Sequence, residues 1–177
     1  LQLAAANQTP RPLRAAFGSG VFAEGWAVYV TQVMLDEGFG DGDLALELVH
    51  WKFYLRCIAN ALLDAGIHAD NRDEAWALNL MVGQSWQEEA EAKAKYLRAR
   101  LTATQLPTYF VGSMGCWEAE DRARRAAGGP VAHVDGADLP GNRVETPGFS
   151  RPKHLRAVLS HGTPPIPLLE RLLGLAE

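Results

Sequence analysis

Residues 21–30 read VFAEGWAVYV, and the run continues to Leu35 with hardly a polar residue. At 3.6 residues per turn, Phe22, Trp26, Tyr29 and Val33 line one face of a helix, and Ala23, Ala27, Val30 and Met34 line the next. Val28 and Leu35 share the face of Glu24. A helix apolar nearly all round is expected to be buried. A carboxylate inside it is costly unless it is paired, protonated or bound to a metal. Two accounts of Glu24 stay open on these residues: a buried ion pair, with Arg56 as partner, or a metal ligand.

Outward from this run, the pattern is helical throughout. Gly38 and Gly40 stop the first helix, and Asp41 or Asp43 can cap a long second one ending at Gly66. Its apolar positions Leu44, Leu48, Trp51, Leu55, Ile58 and Leu62 recur at helical spacing. NRDE at 71–74 and SWQE at 85–88 read as capping boxes, opening a short helix and then one reaching about Leu101. Pro107 begins a helix through Ala127, and two short helices follow, near Arg151–Ser160 and Pro167–Leu173. Between them the stretch 128–150, rich in Gly and Pro, has no period and reads as an irregular loop. The expected fold is all-α, a single helical domain over residues 1–177.

With 177 residues, 47% hydrophobic and 21% charged, the chain is ordinary for a globular protein. A net charge of −4 argues against a nucleic-acid partner. No apolar run is long enough for a membrane span. Cys57 and Cys116 read as buried free thiols, in a reducing compartment or one whose redox state does not matter to them. No signal peptide is visible, and a cytoplasmic rather than a secreted setting is expected.

The turn DEGFGDGDLALE puts Asp36 and Glu47 at the ends of a calcium-loop spacing. Gly38 and Gly40 occupy places that need oxygen ligands, so calcium is rejected. The five histidines show no paired ligand spacing. His68, just past a helix end, is best placed to turn into a cleft.

Four segments in order, EGWAVYVTQVMLDEG, RCIANALLDAGIHA, KYLRARLTATQLPTYFVG and LSHGTPPIPLLERLLG, resemble the C-terminal part of the bacterial family called domain of unknown function 885. The resemblance implies a mostly helical, zinc-dependent peptidase whose histidine-rich metal motif would precede Leu1. The chain then reads as a fragment that is inactive alone. On this resemblance Glu24 is the zinc ligand, Tyr109 and His68 are catalytic hydrogen-bond donors to an oxyanion, and Arg56 and Gln105 contact a peptide substrate. Asp64 also matches. Ala103-Thr104 replaces a Pro-Gly pair, Phe110 replaces a basic residue, and His154-Leu155 stands where the family has Phe-His. The alternative is a helical interaction or scaffold domain with a degenerate site. Without a preceding metal helix, Phe22, Trp26 and Tyr29 are expected to form an exposed apolar patch that drives homodimerisation.

Overall fold

A computed structural model describes residues 8, 12–129 and 146–175. Among these the chain is all-helical, with no strand. A short helix α1 (Pro12–Ala16) leads into α2 (Gly20–Asp36). Ser19 caps α2 by accepting from the Phe22 amide at 3.2 Å. A turn with Gly38, Gly40 and Gly42 at positive φ leads to α3 (Leu44–His68), capped by the Asp43 carboxylate on the Ala45 amide.

Then come α4 (Glu74–Leu78), a π-helical turn (Asn79–Gln84), α5 (Glu89–Leu101), α6 (Thr108–Ala126), α7 (Arg151–Ser160) and α8 (Ile166–Leu172). Most of the irregular stretch expected at 128–150, from 130 to 145, lies outside the described residues, as do Leu1–Asn7. No described helix is long and apolar enough to cross a membrane.

The core has two parts. In one, Phe22, Trp26, Tyr29 and Val33 of α2 pack against Cys116 and Trp117 of α6, with Val158 of α7 and Leu169 of α8 closing the cluster. In the other, Leu63, Ala77, Met81, Tyr96, Ala99 and Leu106 join α3 to α4, the π-turn, α5 and the loop after it. The expected exposed patch is therefore absent. Phe22, Trp26 and Tyr29 are only 1%, 3% and 1% exposed, because the C-terminal helices cover them.

Helix α2 is not enclosed all round either. Val21, Ala27, Thr31 and Met34 leave a strip open. Gly25 and Gly112 let α2 and α6 approach until a Cβ on Gly25 would lie 2.1 Å from the Gly112 carbonyl carbon. Four residues further along α2, the Tyr29 ring meets Trp117 edge-on, centroids 4.5 Å apart. The two helices thus run in the same direction.

Three local expectations are corrected. Gly66 does not end α3, which continues to His68; its missing side chain makes room for Trp76, whose ring atom would lie 2.2 Å from a Cβ there. Asp73, not Asn71, caps α4, through the Trp76 amide at 2.9 Å. Ser85 does not cap α5, because its hydroxyl donates back to the Leu80 carbonyl at 2.7 Å and closes the π-turn.

Candidate functional site

Glu24 sits in the second turn of α2, half-buried, immediately before the glycine of the α2–α6 crossing. Among the described residues no hydrogen bond or ion pair reaches its carboxylate. Tyr109 lies one turn before Gly112 on α6 and is also half-buried, so these two residues flank the same crossing. Val21, whose carbonyl oxygen meets Gly112 at the crossing, also lines an open apolar groove of 510 Å³ with Phe110, Val111, Met114 and Ile166 among others.

Of the remaining predicted residues, Arg56, His68 and Asp64 are held in contacts within the body. Arg56 does not pair with Glu24; its guanidinium donates to Glu91 of α5. His68 places Nε2 at 2.8 Å from the Ala99 carbonyl oxygen, tying the end of α3 to α5. Asp64 is buried and accepts from the Thr104 amide with both oxygens at 3.1 Å, fixing the loop that leads into α6. Gln105, next in that loop, is exposed. No hydrogen bond joins Glu24, His68 and Tyr109 to one another, and among the described residues no three His, Cys, Asp or Glu side chains come together to hold a metal.

The buried carboxylate of this molecule is a different one. Glu120 on α6 is fully enclosed and accepts from the Tyr29 hydroxyl, from Arg124 at 2.7–2.9 Å, and from Arg151 at 3.2 Å. Arg151 also reaches Glu37, just past α2, at 2.7 Å. Arg124 lies over the Phe149 ring, 4.3 Å from its centroid, and approaches the Thr146 hydroxyl.

Burial, reinforced by the Glu120 charge, pushes the Tyr29 phenol well above its ordinary pKa, so it serves as a neutral donor. Burial works against the charge on Arg151, yet Glu120 and Glu37 beside it hold its pKa above the usual value. Burial lowers the pKa of neighbouring His154. Sequence reasoning missed Glu120 because WEAEDRARR reads as a solvated charge run. The available signal was position: Ser113, Cys116, Trp117, Glu120 and Arg124 follow one helical stripe, and all five are buried.

The geometry defines a helical chain in which a half-buried carboxylate, Glu24, borders a close helix crossing. The chain belongs to the bacterial family of unknown function known as domain of unknown function 885 (DUF885), which matches residues 1–173. No curated protein matches it. A solved structure from Shewanella oneidensis, described as a "putative lipoprotein of unknown function", is 30% identical, covers 97% of this chain and superposes with a TM-score of 0.78. The chain spans only 28% of that protein's length.

Proposed function

We propose that the chain is the helical C-terminal part of a zinc-dependent metallopeptidase acting on peptides, and that Glu24 is its contribution to the metal site. The observation that carries this reading is the half-buried Glu24, held on a rigid helix with no partner among the described residues. A carboxylate so placed is available to a cation, the role that Arg124 and Arg151 fill for the fully buried Glu120.

The described residues alone do not fit a resident zinc. A catalytic zinc takes three protein ligands, and Glu24 would be one, with the others from elsewhere in a longer parent. Tyr109, across the crossing, would present a phenol donor toward the same region. The neighbouring groove offers apolar surface to the side chains of an extended peptide. His68 and Arg56, spent on Ala99 and Glu91, act as positioning residues.

The test is the zinc content of the full-length parent, as wild type and as Glu24→Gln. About one zinc per chain in the wild type, lost in the variant, is the expected result. Absence of zinc, or zinc unchanged by the substitution, overturns the reading. A second reading, a scaffold with no catalytic centre, is favoured by the structural use of Arg56, Asp64 and His68, and that outcome would select it.

The two thiols do not require a reducing compartment. Burial pushes Cys57 up to about 11 and Cys116 up to about 12, leaving both protonated and inert. The description of the Shewanella protein as a lipoprotein favours a lipid-anchored setting for the parent over the cytoplasmic one. Fractionation of cells carrying the parent separates the two.

A further inference from the structure

Where α5 packs beside α3, hydrogen-bond donors outnumber acceptors. Lys95 of α5 is only 8% exposed. Its ammonium donates to the Gln87 side-chain oxygen, while the Glu91 carboxylate stands back at 3.7 Å. An ammonium carries three N–H donors, so one hydrogen bond and one loose ion pair leave it short of acceptors. Gln87 is 5% exposed, and its amide cannot be turned over, because Nε2 would then face the ammonium. That nitrogen is therefore a fixed donor, enclosed and without an acceptor among the described residues. A buried donor left so costs about 1–3 kcal/mol.

The surroundings add cations rather than acceptors. Burial lowers the Lys95 pKa, and the charges of Arg56 and Arg98 lower it further, against the pull of Glu91. Arg56 donates to that same Glu91, so one carboxylate serves two cations. Glu89, in the first turn of α5, pairs instead with the exposed Lys93. The turn that delivers Gln87 is also strained. The π-turn runs through Ser85 into Trp86, which takes a φ of 51° while 70% exposed. A bulky residue held there costs about 1–3 kcal/mol, a cost that gathers at ligand sites.

An anionic group with two acceptor oxygens completes this cluster, one oxygen for Gln87 Nε2 and one for the Lys95 ammonium. A carboxylate supplies both, whereas a phosphate brings up to about two charges beside Glu91. We propose that Gln87 and Lys95 form a binding site for a carboxylate group, which enters by displacing Glu91 from the ammonium. The side chains of Glu91 and Arg56, 41% and 33% exposed, are the rim through which it passes. Arg56 keeps its positioning role, as the anchor of Glu91. The site does not depend on the assignment of Glu24.

Nuclear magnetic resonance of the nitrogen-labelled chain tests it, without metal, by following the Gln87 side-chain amide during titration. The probes are sodium acetate at constant ionic strength, inorganic phosphate, and acetyl-trialanine as free acid and as C-terminal amide. Acetate should shift the Gln87 signal saturably. Lys95→Met, its fold checked by circular dichroism, should weaken binding at least about tenfold, as loss of a hydrogen bond to a charged group does. Glu91→Gln, on the part-exposed rim, should tighten it about threefold by removing the competing carboxylate. A free-acid peptide that binds more tightly than acetate, with its amide inert, identifies the source as a chain terminus. A peptide no tighter than acetate identifies a small free acid. No saturable shift with either carboxylate, or one unchanged by Lys95→Met, overturns the proposal. Phosphate binding more tightly than both carboxylates overturns the choice of ligand.

Discussion

Glu120 touches three elements that are far apart in sequence: Tyr29 lies 91 residues away and Arg151 31 residues away. Two guanidinium groups are nearly buried with it, at 9% and 10% side-chain exposure. Replacing one member of a buried ionic cluster leaves the others desolvated without compensation. Glu120→Gln is therefore expected to lower unfolding free energy by about 3–5 kcal/mol in urea titrations. Tyr29→Phe, which removes one hydrogen bond to a carboxylate that keeps both arginines, should cost about 1.5–3 kcal/mol. These residues also show where sequence reasoning misplaces a charge. Glu24 stood out because its neighbours in the chain are apolar, yet α2 leaves it half-exposed. Glu120 sits among charges and is buried by helices arriving from both ends of the chain. Local composition reports the neighbours in sequence, whereas burial is decided by neighbours in space.

At the scale of elements, the α2–α6 crossing rests on two glycines. A Cβ at Gly112 would stand 2.0 Å from the Val21 carbonyl oxygen, and one at Gly25 2.1 Å from backbone carbon, so no side chain can yield to relieve either clash. Gly25→Ala and Gly112→Ala should each cost about 3 kcal/mol or more, since both helices must part. Gly20→Ala, with nothing within 4 Å of its Cβ, should be neutral or stabilise by up to about 1 kcal/mol. Thermal unfolding of the three variants side by side provides the comparison. Helix existence was legible from periodicity, and α3, α6 and α7 lie close to their expected bounds. Which stripe faces inward was not. In α3 the leucine line is exposed at both ends and part-covered between them, and the fully buried side carries His50 and Asp64, whose polarity disguised it. Ser85 misled for a related reason: a capping pattern specifies a hydroxyl that seeks a backbone partner, and here the π-turn supplied one first.

For the molecule as a whole, two buried histidines set the response to acid. Burial lowers the pKa of His50, whose ring nitrogens have no hydrogen-bond partner among the described residues and whose ring contacts those of Trp51 and Tyr54. Burial likewise lowers that of His154, where Arg124 and Arg151 add to the effect and Glu120 opposes it. Both folded values lie below the unfolded one, about 6.5. The unfolded chain therefore binds more protons as pH falls through that value, and stability is lost on the acid side. Unfolding free energy should decline from pH 7 to pH 5, and His50→Leu should flatten the slope without destabilising the protein at pH 7. Urea midpoints measured across that range provide the check. The all-helical class could be read from the sequence, and so could the family. The metal assignment rested on resemblance, and among the described residues the side chains of Glu24, Tyr109 and Gln105 take no part in the bonds that hold Arg56, Asp64 and His68. A last consequence concerns change over evolutionary time. The Gly129 amide donates to the Arg124 carbonyl at 3.0 Å, and a Cβ on Gly129 would collide with Thr146. Gly129 and Thr146 thus stand side by side at the end of α6. Between two points so close, doubling the length of a flexible connection costs only about 0.6 kcal/mol of closure entropy. Insertions between them are therefore expected to leave the helical body as it is.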